Sequence, residues 1–347
     1  MRVSPKGKRT VLVRADGSKS LGMGHLSRAC LVVDAFAARG YDVRLLVKRN
    51  SDAASFLESR KMVPDFLPED ISLQAEFDLI MGRLFPTLGL LVTDVLNHRD
   101  YSRLFRELRR EHCISAVIFD DESSACIDAD IALNGSPSQS PEPYSDCVCR
   151  YLIGPRYFIM DPRYKDLSVA PPRSLVRDVF ITVGGSDHHN LLFKLLRAFD
   201  RFGDAYRITI ASTTTTGYTG QLADVLGRVC FPVALHLDAP SLLSFWSKAD
   251  VAITAGGNTL FERIATRLPG ATLCQLGLQM KHAESFERLG VNINLGYGPD
   301  LDHDVLGTKL ERFLNDSVEH KEQYTRASDL VDARGLEYFI AALEEYQ

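Results

Sequence analysis

Short apolar runs alternate with segments whose apolar residues recur every three or four positions, and this alternation covers nearly the whole chain. Residues 11–13 form one such run. They lead into Leu26, Ala29, Cys30, Val33, Phe36 and Ala37, spaced as one face of a helix, after which residues 43–47 read as a strand. Residues 90–93, 116–119 and 131–133 add further strands. Runs that are apolar at every position suit strands covered on both faces, as in a parallel sheet with helices on each side. The pattern breaks over residues 164–178, which hold Pro171-Pro172 and few core positions. It then restarts with strands at 179–183, 208–211, 251–254 and 271–273, a helix at 190–199, and an amphipathic, mostly helical tail over 319–346. The prediction is an α/β protein of two Rossmann-like doubly wound domains facing across a cleft. They span residues 1–165 and 179–347, the second with the helical tail, and are joined by a linker at 166–178.

Length and composition narrow the picture. A chain of 347 residues suits two domains, and 45% hydrophobic with 24% charged residues excludes a disordered or fibrous protein. The formal net charge of −5 gives no bulk attraction to nucleic acid or to an anionic membrane. No apolar run reaches the roughly 20 residues that span a bilayer. The first seventeen residues lack a signal-peptide core, and the seven cysteines are scattered among apolar positions. Reduced thiols in a cytoplasmic protein are the expectation. Cys147-Val-Cys149 is not a zinc spacing and Asp128-Ala-Asp130 precedes a strand without an obvious partner, so neither a metal nor a cofactor is expected.

Three strand–loop–helix segments can carry chemistry. The first runs from Arg14 through Gly17, Gly22 and Gly24 to His25 and Arg28. A helix N-terminus offers free N–H groups to an anion and disfavours imidazolium, so His25 would be held neutral, as a general base requires. A loop histidine that caps backbone fits the same pattern. The second segment, Gly184-Gly185-Ser186-Asp187, is either a phosphate turn or an ordinary turn capped by Ser186 or Asp187. The third is Gly256-Gly257-Asn258-Thr259 with Glu262 one turn on, on the same helix face. There the glycines would admit a diphosphate and Glu262 would accept ribose hydroxyls; a solvated surface glutamate is the alternative. Asp94 and Asp121 each follow a strand, where they would orient a sugar, assist His25, or merely cap a loop.

In order along the chain stand Arg14-Ala-Asp16, Gly22-x-Gly-His25-x-x-Arg28, Gly154-Pro-Arg-Tyr157, Thr182-x-Gly-Gly-Ser-Asp187, Ala255-Gly-Gly-Asn-Thr-Leu-x-Glu262 and Gln279 with Ala283-Glu284. This set resembles the UDP-sugar hydrolase family of the pseudaminic acid pathway. That family is similar in fold to the peptidoglycan UDP-N-acetylglucosamine transferase, a two-Rossmann GT-B enzyme. The resemblance spans roughly residues 10–300 and implies a GT-B fold. It also implies His25 as the base that activates water at the anomeric carbon, with Gly22, Gly24, Gly256, Gly257, Asn258 and Thr259 at the phosphates. Glu262 would sit at the ribose, Gln279 near the sugar or diphosphate, and Gly185 and Ser186 along the cleft. Where the family usually has Asp-His-Tyr, this chain has Asp94-Val95-Leu96, and His188 stands where a proline is common. Asp16, Lys19, Asn97 and Asp121 are the sugar-pocket candidates.

The function expected on this basis is metal-independent hydrolysis of a UDP-activated amino-deoxy sugar to free sugar and UDP, in nonulosonic-acid or surface-glycan biosynthesis. Two rivals stand beside it: a GT-B glycosyltransferase that passes the sugar to an alcohol, and a non-catalytic nucleotide-sugar binding protein. A dinucleotide oxidoreductase fits poorly, because Lys48 and Arg49 stand where an acidic residue would end the second strand.

Overall fold

The computed structural model describes residues 10–18, 21–84, 88–96, 98–111, 113–119, 128–139, 150–167, 169–185, 187, 189–213 and 219–346. The chain divides into two compact units, Met1–Met160 with Arg334–Gln347, and Asp161–Ala333. Each is a parallel sheet flanked by helices, a Rossmann-like arrangement.

Unit 1 runs β1 (Thr10–Ala15), α1 (Gly24–Ala38), β2 (Asp42–Lys48), α2 (Ser51–Ser59), β3 (Asp65–Leu67), α3 (Leu73–Leu84), β4 (Leu88–Asp94), α4 (Ser102–Arg110), β5 (Ile114–Phe119), β6 (Ile131–Asn134) and β7 (Arg150–Ile153). Its strand order is β3-β2-β1-β4-β5-β6-β7, all neighbours parallel. Val11, Val13, Leu45, Val47, Leu90 and Val92 pack on one face of this sheet, and Leu12, Leu46, Leu91 and Val117 on the other. This double burial is why the strands are apolar at successive positions.

Unit 2 runs β8 (Asp178–Thr182), α5 (Leu191–Phe199), β9 (Arg207–Ser212), α6 (Thr219–Leu226), β10 (Val233–Leu237), α7 (Leu243–Trp246), β11 (Val251–Thr254), α8 (Asn258–Ala265), β12 (Gly270–Cys274), α9 (Gly277–Arg288), β13 (Ile293–Tyr297), α10 (His303–Asn315) and α11 (Ser317–Arg326). Its order is β10-β9-β8-β11-β12-β13, again parallel throughout. Both sheets change winding direction beside their first strand, between β1 and β4 and between β8 and β11. In open parallel sheets, the carboxyl ends at such a switch are where ligands bind.

The end of the chain departs from the sequence expectation. Instead of closing the second domain, the last helix, α12 (Gly335–Tyr346), belongs to unit 1. Leu336, Phe339, Ile340, Ala342 and Leu343 enter the same core as β1 and α1, and burying each large side chain contributes about 1.5–3 kcal/mol. Gly335 allows the approach, since a Cβ there would meet the carbonyl oxygen of Phe158 at 2.3 Å. An amphipathic face shows that a helix is buried on one side, but not on which sheet. The stretch expected as a linker, 166–178, lies within unit 2, where Val176 joins the core.

Candidate active site

At the winding switch of unit 1, the loop after β1 enters α1 so that His25 is the second helical residue. Gly22, with φ +85°, makes the turn, closed by its N–H donating to the Ser18 carbonyl at 2.8 Å. Gly24 opens the helix, and the N-cap Met23 makes no side-chain cap bond. Across the switch, β4 ends in Asp94, wholly buried. His25 Nδ1 donates to Asp94 Oδ1 at 2.6 Å. Arg28, one turn further along α1, grips both carboxylate oxygens, Nε to Oδ2 at 2.6 Å and Nη2 to Oδ1 at 2.7 Å.

Burial by itself would push the Asp94 carboxyl up, but the Arg28 charge and its hydrogen bonds, followed by the bond from His25, bring it down to about 2. An ionised Asp94 accepts and cannot donate, so the proton of a neutral His25 sits on Nδ1 and Nε2 carries the lone pair. His25 is buried, 7% exposed, so its ring is held in place. Sequence reasoning took Arg28 only as part of a motif. Its spacing, i+3 from His25 on one helix, was the available signal.

The sugar-pocket candidates fare differently. Asp16 accepts both terminal nitrogens of buried Arg14, at 2.6 and 2.8 Å, and the Lys48 backbone N–H at 3.0 Å. Glu76 completes the cluster, accepting from Arg14 Nε at 2.7 Å and from the Tyr101 hydroxyl. Asp16 thereby ties the ends of β1 and β2. Of the two residues that stand in for the family's histidine and tyrosine, Val95 is buried in the core and Leu96 is 58% exposed. Lys19, Asn97, Asp121 and Ser186 lie outside the described residues. Asp128 and Asp130, from which no metal site was expected, pair with Arg106 and Arg109 of α4. Among the described residues, no cluster of three or more His, Cys, Asp or Glu could hold a metal ion.

In unit 2 the two glycine turns at the switch are distinct. After β8, the Asp187 carboxylate accepts the N–H groups of Leu191 and Leu192 at 2.7 and 3.0 Å, so it fills the N-terminus of α5 itself. Gly185 lies beside it, its carbonyl accepting the Thr213 hydroxyl at 3.1 Å. After β11, the N-cap of α8 is Gly257, which has no side chain to cap it. An uncapped helix N-terminus presents N–H donors and a positive dipole end, which suit an anion. Gly256 is pressed on α9, where a Cβ would meet the Gln279 carbonyl oxygen at 2.7 Å. The Gln279 side chain accepts the Gln275 N–H at 2.8 Å, so it holds the β12–α9 turn. Asn258 is half-buried at the start of α8, Thr259 is buried, and Glu262 follows one turn on. The Glu262 carboxyl accepts the Tyr164 hydroxyl at 2.8 Å, and Tyr164 in turn accepts Trp246 Nε1–H at 3.0 Å. Burial raises the Glu262 carboxyl to about 7, against the lowering effect of the Tyr164 bond. Neither Tyr164 nor Trp246 was picked out from the sequence, because both act across more than eighty positions of chain.

No family model matches the chain. It is 25% identical over 341 residues to the spore coat polysaccharide biosynthesis protein SpsG of Bacillus subtilis (strain 168), covering 95% of this chain and 96% of that protein. Among solved structures it is similar to MurG of Acinetobacter baumannii, with a TM-score of 0.71 at 12% identity, covering 97% of this chain and 99% of the other. The spinosyn rhamnosyltransferase SpnG complexed with thymidine diphosphate aligns with a TM-score of 0.61 at 15% identity, covering 97% of this chain and all of that one. The two Rossmann-like units thus carry the GT-B fold of glycosyltransferases.

Proposed function

We propose that this chain is a nucleotide-sugar-dependent glycosyltransferase of polysaccharide biosynthesis. His25 serves as the base, and the uncapped start of α8 receives the diphosphate. The observation that carries the reading is the His25–Asp94–Arg28 arrangement, in which a buried carboxylate gripped by Arg28 orients the His25 ring through Nδ1 at the β1–β4 switch. The similarity to a polysaccharide biosynthesis protein and to named glycosyltransferases supports transfer over the hydrolysis that the sequence resemblance implied. In the proposed step an acceptor oxygen bonds to the anomeric carbon as the bond from that carbon to the β-phosphate oxygen breaks. The acceptor proton goes to His25 Nε2, and the nucleoside diphosphate leaves as an anion. Hydrolysis remains the second reading. The slight exposure of His25 suits a nucleophile as small as water.

The deciding experiment incubates the protein with UDP- and TDP-sugars, with and without a panel of alcohol and glycan acceptors, and follows nucleotide release by chromatography. Transfer predicts release that depends on an acceptor and yields a glycosylated product. Equal release in its absence establishes hydrolysis, and a failure to bind any nucleotide sugar overturns both readings.

The contrast between the two turns of unit 2 makes a further prediction. Asp187→Ala removes a helix cap and is expected to cost about 1 kcal/mol in chemical denaturation, with UDP affinity unchanged. Gly256→Ala drives a methyl into α9 and is expected to weaken UDP about tenfold by calorimetry, because the loop amides lose their aim. Equal affinities in the two variants would count against the α8 turn as the diphosphate site.

A further inference from the structure

Tyr164 belongs to the 3-10 turn Pro162–Asp166, the first element of unit 2. Its ring is buried and its hydroxyl occupies a fixed place in a chain of hydrogen bonds. Trp246 Nε1–H donates to it at 3.0 Å, and it donates to Glu262 Oε2 at 2.8 Å. Trp246 is completely buried and meets Phe180 of β8 edge-on, ring centres 4.8 Å apart. The indole can only donate, so it orients the phenol oxygen as acceptor and directs its single proton toward the carboxylate. Burial first, and then the charge of Glu262, push the phenol's ionisation upward, so Tyr164 stays protonated and remains the donor.

We infer that Tyr164, held by Trp246, is a positioning residue that fixes the Glu262 carboxylate as a two-point acceptor for the ribose diol of a nucleoside diphosphate. The inference rests on the proposed nucleotide site in unit 2. With Oε2 tethered from one side, rotation of the carboxylate is restricted and its remaining lone pairs keep a set direction. A cis-diol needs such a paired acceptor, whereas a freely rotating glutamate meets one hydroxyl at a time. The charged groups around this carboxylate are few. Tyr164 and Asp161 come from the 162–166 turn and the residue before it, and Asp161 is itself paired with Arg163 at 2.5 Å. On α8, the Arg263 guanidinium is turned to the Leu268 and Val291 carbonyls and the Asn292 side chain. The burial cost of ionising Glu262 is thus offset chiefly by the Tyr164 hydroxyl.

The test is calorimetric titration of the full-length protein and of Tyr164→Phe with UDP and with 2′,3′-dideoxyuridine diphosphate, from pH 6 to 9. The wild type is expected to prefer UDP by about tenfold at pH 8, since a buried site built to bind hydroxyls rejects a ligand that lacks them. This preference should fade as pH falls through about 7, where Glu262 takes up a proton. Tyr164→Phe should cut the preference to about threefold or less at pH 8, leave the dideoxy ligand's affinity unchanged, and move the midpoint to higher pH, because a donor to the ionised form is gone. Trp246→Phe, which keeps the ring packing, should shift both quantities the same way by less, and it serves if Tyr164→Phe does not fold. A variant in which both ligands weaken alike, or in which preference and midpoint stay put, overturns this inference alone. A wild type that binds neither ligand overturns it together with the functional reading.

Discussion

His25→Asn is expected to lower turnover by about 10²–10⁴-fold, the usual contribution of a positioned general base. The asparagine amide can still donate to Asp94, so Asp94 and Arg28 keep a partner and the variant should fold. Nucleotide affinity should stay within about twofold of the wild type, because the amides assigned to the diphosphate lie on α8 and not on α1. Turnover and UDP affinity measured on one preparation separate the two effects. Turnover near the wild-type rate would remove His25 from the mechanism. A parallel loss of affinity would recast it as a binding group.

Substitution of Asp94 should be felt in stability as well as rate. Asp94→Ala takes from the buried Arg28 cation the carboxylate it grips with two nitrogens, and removing one partner of a buried pair typically costs about 3–5 kcal/mol. Asp94→Asn keeps the shape but not the charge. Its amide can donate to His25 Nδ1 and drive the ring proton to Nε2, the wrong tautomer for a base, so turnover should fall about 10²-fold or more even where the fold survives. The pH dependence follows from the direction of the shift. The folded carboxyl is lowered from 3.8 to about 2, so its stabilisation is fully present above pH 4 and is lost as pH falls toward 2. Denaturant unfolding from pH 7 to 2 should therefore show a shallower acid limb in Asp94→Asn than in the wild type. Identical limbs would mean that Asp94 is not held ionised by Arg28.

The strands that sequence reasoning found and those it missed divide on physical grounds. The interior strands of the two sheets are rich in buried apolar positions, as in residues 11–13 or 251–253. The four edges, β3, β7, β10 and β13, were all missed. β10 reads Val-Ala-Leu-His-Leu and β7 Arg-Tyr-Leu-Ile, mixed sequences of partly buried positions that resemble loops when read alone. An edge strand is held by one neighbour's hydrogen bonds, and its composition need not announce it.

From the sequence alone came the class of fold, the twofold repetition of Rossmann-like units, and the glycine turns opening α1 and α8. These features arise from short-range rules: burial sets composition, and tight turns require glycine. Tertiary structure decided the rest. It joined His25 to Asp94 across 69 positions and gave Arg28 the task of holding that carboxylate. It set Asp187 in the α5 terminus while leaving the α8 terminus uncapped, and it returned α12 to the first unit. Which side chain meets which depends on strand order, and strand order is fixed by the packing of whole faces, a property no local window of residues contains.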